Sequence, residues 1–203
     1  MKWSNARSQQ AGLTPVYYTD AGLTRVYTKG DTDAVYPNWA ASGYRLPTEA
    51  EWEKAARGGL SGQRFPWGNI ICETNANYYG CISGCGWSYD LGPNGYNAAF
   101  ATGGYSYTSP VGYFAANGYG LNDMAGNVFE WCWDWYAAPT YPPGSPYLGG
   151  TDPRGPVGPL GYRVLRGGGW VDDAGHARCA LRSYYYPGSA ASTEVGFRCV
   201  RGL

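Results

Sequence analysis

The chain has 203 residues, enough for one domain with a sizeable core, and its 15 basic and 15 acidic residues cancel. This balance disfavours non-specific attraction to nucleic acid or to an anionic membrane surface. Its 32 glycines and 14 prolines approach a low-complexity composition, but 20 tyrosines, 9 tryptophans and 5 phenylalanines indicate a folded, loop-rich protein with an aromatic core. We therefore expect no nucleic-acid partner.

The amino-terminal part predicts short strands. The first residues, MKWSNARSQQAG, lack an apolar run long enough for a signal peptide, and no stretch of the chain reaches the length of a membrane span. We therefore expect no membrane insertion, while the compartment stays open. An L-T-x-V-Y phrase then begins at Leu13 and again at Leu23, and a Val35-Tyr36 pair follows. Such phrases, separated by Asp20-Ala21-Gly22, predict short strands joined by turns.

The clearest helix lies in YRLPTEAEWEKAARGG, residues 44–59. Thr48 is placed to cap its amino end while Glu51 reaches back, the reciprocal arrangement of a capping box. Gly58 and Gly59 predict where the helix stops.

The rest of the chain predicts loops and a few strands. Residues 65–120 are rich in Gly, Asn, Tyr and Ser, with strand-length pieces such as TSPVGYF. GNVFEWCWDWY alternates apolar and polar residues as a strand does, and 138–161 holds too much Pro and Gly for regular structure. YRVLRGG and VGFRCVRGL predict two short strands flanking irregular backbone. The fold class is α+β with little helix.

The cysteines allow several arrangements. They are Cys72, Cys81, Cys85, Cys132, Cys179 and Cys199. Six thiols permit 15 full pairings. Cys81 and Cys85 with the lone His176 do not make a zinc set, which needs four suitably spaced ligands. We expect buried free thiols or one or two disulfides.

Three segments carry a family resemblance: YRLPTEAEWEKAARGG with FPWGN, NGYGLNDMAGNVFEWCWDWY, and RVLRGGGW through ALRS to VGFRCVR. Together they resemble the formylglycine-generating enzyme, or sulfatase-modifying factor, family. The resemblance implies a single domain over 1–203 with a variant of the C-type lectin fold. Family domains usually carry further residues before the start of this chain, so we expect that the amino-terminal part of the domain is missing.

The resemblance also bears on catalysis. Catalytic members oxidise a substrate cysteine to formylglycine with two cysteines and copper, and soft thiolates suit Cu(I). In this chain the two cysteine positions fall on Asp172 and near Ala177, while Cys179 and Cys199 match other family cysteines. The resemblance therefore implies that the catalytic pair is absent and that copper is not bound. Asp172, Asp173 and His176 could form a replacement metal triad, but a solvated polar loop is the favoured interpretation.

Part of this family is non-catalytic and serves as the variable protein of diversity-generating retroelements. The tail of this chain, residues 166–199, resembles the tail of those proteins. In such proteins a constant frame matches Gly167, Gly168, Trp170, Ala174, Arg178, Ala180, Arg182, Pro187, Gly196, Phe197 and Arg198. The predicted ligand-binding residues are Trp170, Val171, Asp172, Asp173, His176, Leu181, Ser183, Tyr184, Tyr185, Tyr186, Ser189, Ala191, Ser192 and Thr193. The residue types at the intervening positions are reachable by altering the adenines of an asparagine codon, although non-variable relatives have similar polar tails.

Tyr184, Tyr185 and Tyr186 among small residues resemble the composition of antibody binding loops. Tyrosine offers a large amphipathic contact area at little rotamer cost. The alternative is that Tyr184 and Tyr186 pack inward as core and only Tyr185 is exposed.

The resemblance further implies structural calcium. In relatives the loop matching LNDMAGNVFEW holds calcium, which here would use the carbonyls of Asp123, Gly126 and Val128 and the carboxylate of Glu130. Oxygen-only ligation of this kind suits calcium. A second family site would begin at Asn77 and Tyr78. The alternative for Glu130 is an ion pair with an arginine.

Two functions follow. The favoured one is a non-catalytic ligand-binding or display protein whose surface at about 170–193 binds a protein or other surface ligand. The alternative is an oxidoreductase of the same family, for sulfatase maturation or another metal-dependent oxidation.

Overall fold

The computed structural model describes residues 1–81, 84–137, 150–188 and 192–201. Its helices are α1 (Lys2–Gln10) and α2 (Glu49–Arg57), and a 3-10 turn covers Ala98–Phe100. Its strands are β1 (Tyr17–Tyr18), β2 (Tyr36–Pro37), β3 (Tyr44–Arg45), β4 (Tyr79–Gly80), β5 (Gly95–Tyr96), β6 (Ala101–Thr102), β7 (Tyr105–Ser106), β8 (Phe129–Trp135), β9 (Arg163–Arg166), β10 (Ser183–Tyr185), β11 (Val195–Gly196) and β12 (Val200–Arg201). The predicted α+β class with little helix is confirmed. Within these residues no helix is both long and apolar enough to span a bilayer.

A sheet of four strands in the order β10-β9-β8-β11 forms the centre of the fold. β9 runs antiparallel to both β8 and β10, whereas β11 joins the far edge of β8 in parallel. The remaining strands form two-residue ladders, which pair β1 with β2, β3 with β12, β4 with β5 and β6 with β7. The tail of the chain thus supplies both edges of the central sheet.

Helix α2 forms as its sequence predicts. Thr48 Oγ1 accepts a hydrogen bond from the Glu51 amide at 3.2 Å, and the Glu51 carboxylate accepts one from the Thr48 amide at 2.8 Å. Gly58 ends the helix in the left-handed region at φ 54°. Trp52 on this helix is 1% exposed and packs with Cys132, Val164 and other residues in a core beneath the central sheet.

Helix α1 was not predicted. It is held by Asn5, whose side chain is buried and donates to the carbonyls of Tyr17 and Tyr27 at 2.8 and 3.0 Å. The side-chain oxygen of Asn5, Oδ1, accepts from the backbone amides of Val16 and Tyr17, both at 3.1 Å. One amide side chain thus supplies the hydrogen bonds of a loop that lacks a full ladder.

The other predicted strands give mixed results. β1, its bridge from Tyr18 to Val26, and β2 agree with the short strands predicted around the repeated phrase. TSPVGYF is not a strand: Pro110 opens a turn in which Gly112 has φ 79°. VGFRCVRGL divides between β11 and β12, because the first pairs with β8 and the second with β3. Of the predicted loop 138–161, residues 150–161 contain no helix or strand, and 138–149 lie outside the described residues.

Candidate functional site

The first half of the tail forms one face of the predicted site. Gly168 has φ 73°, and a Cβ there would lie 2.9 Å from the backbone carbonyl carbon of His176, so this turn packs directly on the segment it precedes. The Trp170 amide donates to the Asn127 carbonyl at 2.9 Å. The Tyr79 amide donates to the Asp172 carbonyl at 2.9 Å. Two outside segments therefore fix the backbone of this part of the tail.

Aromatic rings flank this face. The Trp170 ring lies 5.8 Å from Tyr96, which lies 4.9 Å from Tyr79 in an edge-to-face arrangement. His176 stands edge-on to the buried ring of Phe129 at 6.4 Å. Aromatic pairs of these geometries are favourable beyond the area they bury. Trp170 and His176 thus have defined positions although both are partly exposed.

The adjacent carboxyl groups have different environments. Burial raises the pKa of Asp172, against the hydrogen bond from the Gly169 amide. Burial also acts to raise the pKa of Asp173, but hydrogen bonds and the charge of His176 outweigh it and the pKa is lowered. His176 Nδ1 lies 3.0 Å from Asp173 Oδ1. In the described part of the chain no group of three or more His, Cys, Asp and Glu residues is arranged to hold a metal.

The second half of the tail is the tyrosine strand. Tyr184, Tyr185 and Tyr186 are 48%, 41% and 49% exposed, so the alternative with two of them in the core is wrong. Tyr184 packs against the rings of Tyr136 at 4.4 Å and Tyr162 at 5.0 Å. Tyr185 points to the opposite face of the sheet, and its ring is 6.4 Å from that of Trp131. The strand therefore presents tyrosines on two faces.

None of the described residues predicted to bind ligand is buried. Tyr184, Tyr185, Tyr186 and Thr193 are exposed, and the others are intermediate. Ser189 and Ala191 lie outside the described residues. Among the frame positions Gly167, Gly168 and Ala174 are buried, whereas Ala180 and Phe197 are exposed and the others are intermediate. Burial of side chains therefore separates only part of the frame from the intervening positions.

The six cysteines form one disulfide and four free thiols. Cys81 and Cys85 form a disulfide, and Cys72, Cys132, Cys179 and Cys199 are free, which agrees with the expectation of free thiols and one or two disulfides. Burial raises the pKa of Cys179 to about 11 and that of Cys132 further above its usual range. Both thiols are therefore protonated at neutral pH. In that form they are poor nucleophiles and poor ligands for a soft metal ion.

The predicted calcium loop contains an ion pair. Arg198 donates to both carboxylate oxygens of Glu130, at 2.5 and 2.7 Å, and Trp52 Nε1 donates to the same carboxylate at 2.7 Å. The Arg198 guanidinium also donates to the Asp123 carbonyl at 3.1 Å. Asp123 Oδ1 is buried without a partner in the described residues, as an oxygen awaiting a cation would be. Of the four expected donors, the Glu130 carboxylate and the Asp123 carbonyl are thus occupied by Arg198, which would have to move to admit a calcium ion.

The second predicted calcium site is also engaged within the protein. The Asn77 carbonyl accepts from the Asn127 amide at 2.7 Å, and its side chain donates to the Tyr107 carbonyl at 2.9 Å. The Tyr78 hydroxyl donates to Asp90, and burial followed by this hydrogen bond raises the pKa of Tyr78. Calcium at either position remains a prediction from the resemblance.

Replacing Glu130 with alanine separates calcium from the ion pair. We expect the melting temperature to fall by the same amount in calcium and in chelator, because the lost partners are Arg198 and Trp52. Thermal unfolding followed by circular dichroism would measure it. A larger fall in calcium than in chelator would restore the calcium site, and Arg198→Ala should reproduce the loss if the ion pair is the cause.

Sequence reasoning missed several residues around the tail. Tyr79 and Tyr96 flank Trp170, and Trp131 and Arg163 lie on the face of the sheet that Tyr185 shares. The alternation of GNVFEWCWDWY was the available signal for Trp131. The sequence offered no such signal for Arg163, because the environment of this residue depends on strands distant in sequence.

The fold and the tail together define the class of protein: an α+β, loop-rich domain of the formylglycine-generating-enzyme type of C-type lectin fold, with a partly exposed tail on its central sheet. Residues 13–203 match the sulfatase-modifying factor enzyme 1-like domain, and the chain belongs to that family.

Relatives and a solved structure agree with this assignment. The chain is 44% identical over 171 residues to the formylglycine-generating enzyme of Thermomonospora curvata, covering 82% of this chain and 52% of that protein. It is 39% identical over 170 residues to serine/threonine-protein kinase pkn1 of Chlamydia caviae, covering 83% of this chain and 22% of that protein. Treponema denticola variable protein 1 superposes with a TM-score of 0.72 at 29% identity, covering 98% of this chain and 66% of that one.

The chain spans only about half of the first relative and about a fifth of the second, at 52% and 22% of their lengths. The activities and partners of those whole proteins are therefore not assigned to it by likeness alone.

Proposed function

We propose that the protein is a non-catalytic ligand-binding or display protein whose tail surface, at about 170–193, is the binding site. The observation that carries the proposal is the exposure of three consecutive tyrosines, at 48%, 41% and 49%, of which the first two lie on the edge strand β10. They stand beside a part of the tail in which Gly167, Gly168 and Ala174 are buried. Tyrosines on a rigid strand contribute contact area with little loss of rotamer freedom on binding. Such a surface can bind a protein partner without any reactive group.

The frame is fixed independently of the exposed residues. Arg182 pairs with Glu49 of α2 at 2.5 and 2.7 Å, and Arg198 pairs with Glu130 of β8. These ion pairs attach the tail to the helix and the sheet. Substitutions at Tyr184, Tyr185 and Tyr186 would leave them untouched, as a display surface requires.

The similarity to a Treponema denticola protein named as a variable protein supports a finer proposal. We infer that this chain is the variable protein of a diversity-generating retroelement, in which the intervening tail residues change while the frame stays. A nearby reverse transcriptase gene and a template repeat would support this inference.

The alternative function, an oxidoreductase, is favoured by the 44% identity to a formylglycine-generating enzyme. Against it, the two positions where the family pattern implies cysteines fall on Asp172 and near Ala177, and Cys132 and Cys179 are buried with raised pKa values. Oxygen uptake with a thiol peptide, after reconstitution with Cu(I) or iron, tests this function. Stoichiometric metal with turnover would establish the oxidase, and the non-catalytic proposal would then be wrong.

A combinatorial library tests the display function without knowledge of the natural ligand. Randomising Val171, His176, Tyr184, Tyr185 and Tyr186 together should leave most members folded, because none of these side chains is buried. Selection on unrelated folded proteins should then yield specific binders. Protease-resistant surface display would measure folding, and binding would be scored by cell sorting.

A matched library at buried positions of the tail is the control. Randomising Ala174 and Ala177, which are 0% and 1% exposed, should unfold most members through overpacking. Equal tolerance of the two libraries, or a folded tail library that yields no binders, would count against a display surface.

A further inference from the structure

A groove lies on the face of the central sheet that Tyr185 shares. Each strand of the sheet contributes one lining residue: Tyr185 from β10, Arg163 from β9, Trp131 from β8 and Val195 from β11. The register explains this, since Tyr185 pairs with Arg163, and Val195 pairs with the β8 residue two before Trp131. The sheet is therefore the floor of the groove.

The other lining residues come from segments far apart in sequence. The amino-terminal part of the chain contributes Met1, Lys2, Tyr27, residues 31–33 and Leu46, and the tail contributes Pro187, Gly188, Ser192 and Phe197. The enclosed volume is about 450 Å³. That falls within the usual range for small-molecule or peptide side-chain pockets, roughly 300–1,000 Å³.

Arg163 is the unusual group of this groove. It is 2% exposed, its guanidinium stacks on the rings of Trp133 and Trp135 at 4.6 and 3.9 Å, and it donates a hydrogen bond to the Trp133 carbonyl. Among the described residues no carboxylate lies within 4.0 Å of it. No aspartate or glutamate occurs in the sequence outside those residues. Within the described part of the chain Arg163 is thus a buried cation without a direct ion pair, although the more distant charges of Asp134 and Asp33 act to raise its pKa.

The other arginines of the core show the contrast. Arg45, Arg166, Arg182 and Arg198 each contact a glutamate at 3.0 Å or less. A buried charge normally carries such a partner because desolvation is costly. Burial lowers the pKa of Arg163 to about 10, which leaves the guanidinium charged at neutral pH. An anion in the groove would supply what the protein does not.

The charges of Lys2 and Asp31 at the rim of the groove cancel. Lys2 pairs with Asp31 at 2.9 Å, and Asp33 is exposed at the edge. Trp131, Tyr185 and Phe197 offer aromatic surface, with Phe197 44% exposed. A guanidinium fork matches the planar geometry of a carboxylate, and aromatic walls favour a flat apolar group beside it.

We propose that this groove binds a carboxylate attached to an aromatic or apolar group, with Arg163 as the partner of the carboxylate and Tyr185, Trp131 and Phe197 as its walls. The proposal deepens the proposed function, because Tyr185 and Ser192 belong to the predicted binding surface, and it names what a partner would insert there. The carboxylate belongs either to a small aromatic acid or to the carboxy terminus of a peptide.

Matched probes test the charge. N-acetyl-phenylalanine and N-acetyl-phenylalaninamide differ only in the carboxylate, and so do two pentapeptides ending in phenylalanine with free or amidated carboxy termini. We expect each acid to bind about tenfold or more tightly than its amide by isothermal titration, as a hydrogen-bonded charge pair implies. Tighter binding of the pentapeptide acid than of N-acetyl-phenylalanine would identify a chain terminus as the source of the carboxylate. Tighter binding of N-acetyl-phenylalanine would identify a small aromatic acid.

Matched variants test the location. Tyr185→Ala should weaken the binding of the acid several-fold, whereas Tyr105→Ala should leave it unchanged, because Tyr105 is also exposed but is not among the residues that line the groove. Arg163→Gln should abolish the preference for acid over amide. Should that variant fail to fold, the two tyrosine variants still decide.

Equal affinity for acid and amide, no binding of either acid, or equal losses in the two tyrosine variants would overturn the proposal. These outcomes are independent of the library selection. If the acid probes bind but the library yields no binders, the groove proposal stands and the display function is wrong. If the library yields binders but the probes do not bind, the display function stands and the groove proposal is wrong.

Discussion

Replacing Arg166 with alanine is expected to lower the free energy of unfolding by about 3 kcal/mol or more. Arg166 is fully buried on β9 and donates to Glu49 at 3.0 Å, to Glu53 at 2.5 Å and to the Cys179 carbonyl at 2.6 Å. Removing it leaves the buried Glu49 with Arg182 as its remaining cation and the Cys179 carbonyl without this donor. Breaking a buried pair from one side costs more than the pair itself contributes.

The effect should extend to the tail. Arg166 connects β9 to α2 through Glu49 and Glu53 and to the tail through Cys179. Its loss should therefore reduce protection of tail amides against hydrogen exchange as well as global stability. Urea unfolding monitored by tryptophan fluorescence would measure the free energy, and hydrogen exchange would measure the local effect.

Arg57→Ala is the matched control, because Arg57 also pairs with Glu53, at 2.7 Å, but from the helix surface. Partly exposed pairs of this spacing contribute about 0.5 kcal/mol or less. If Arg166→Ala does not accumulate as folded protein, Arg166→Lys keeps the charge without the fork and should lose an intermediate amount. Losses of similar size for Arg57→Ala and Arg166→Ala would show that burial of the pair is unimportant.

Local signals in the sequence predicted what depends on neighbours in the chain. The capping box of Thr48 and Glu51, the stop at Gly58 and the β8 strand are each specified within a few residues, and all are present. Helix α1 has no apolar periodicity that could predict it. It is held instead by the four hydrogen bonds of Asn5 to backbone groups up to 22 residues away. No window of the sequence carries that information.

The candidate site was predictable in part for the same reason. The family motifs locate the tail, and the exposed tyrosines follow from its composition. Which face each tyrosine takes depends on the pairing of β10 with β9, and the groove depends on four strands and residues 27–46 meeting on one side. The Glu130–Arg198 pair joins residues 68 apart, so the sequence could offer it only as an alternative to calcium.

Replacing Gly126 with alanine is the second change with a large expected effect, a loss of about 2–5 kcal/mol in the free energy of unfolding. Gly126 has φ 71°, and a Cβ there would lie 2.4 Å from the Asn77 carbonyl oxygen. The left-handed backbone alone costs a side chain about 1–2 kcal/mol, and the clash with backbone adds about 1–3 kcal/mol as in other overpacked sites. Thermal and urea unfolding of the variant would measure the loss.

Gly120→Ala isolates the contribution of the clash. Gly120 has nearly the same backbone, φ 76°, but nothing lies within 4 Å of its Cβ position, so it should lose only the conformational part, about 1–2 kcal/mol. Gly126→Ala should in addition disturb the tail, because the Gly126 amide donates to the Gly167 carbonyl at 2.8 Å and the Trp170 amide donates to the neighbouring Asn127 at 2.9 Å. Equal losses in the two variants would show that the loop yields at Asn77, and the tail would then be less rigidly held than a binding surface of this kind requires.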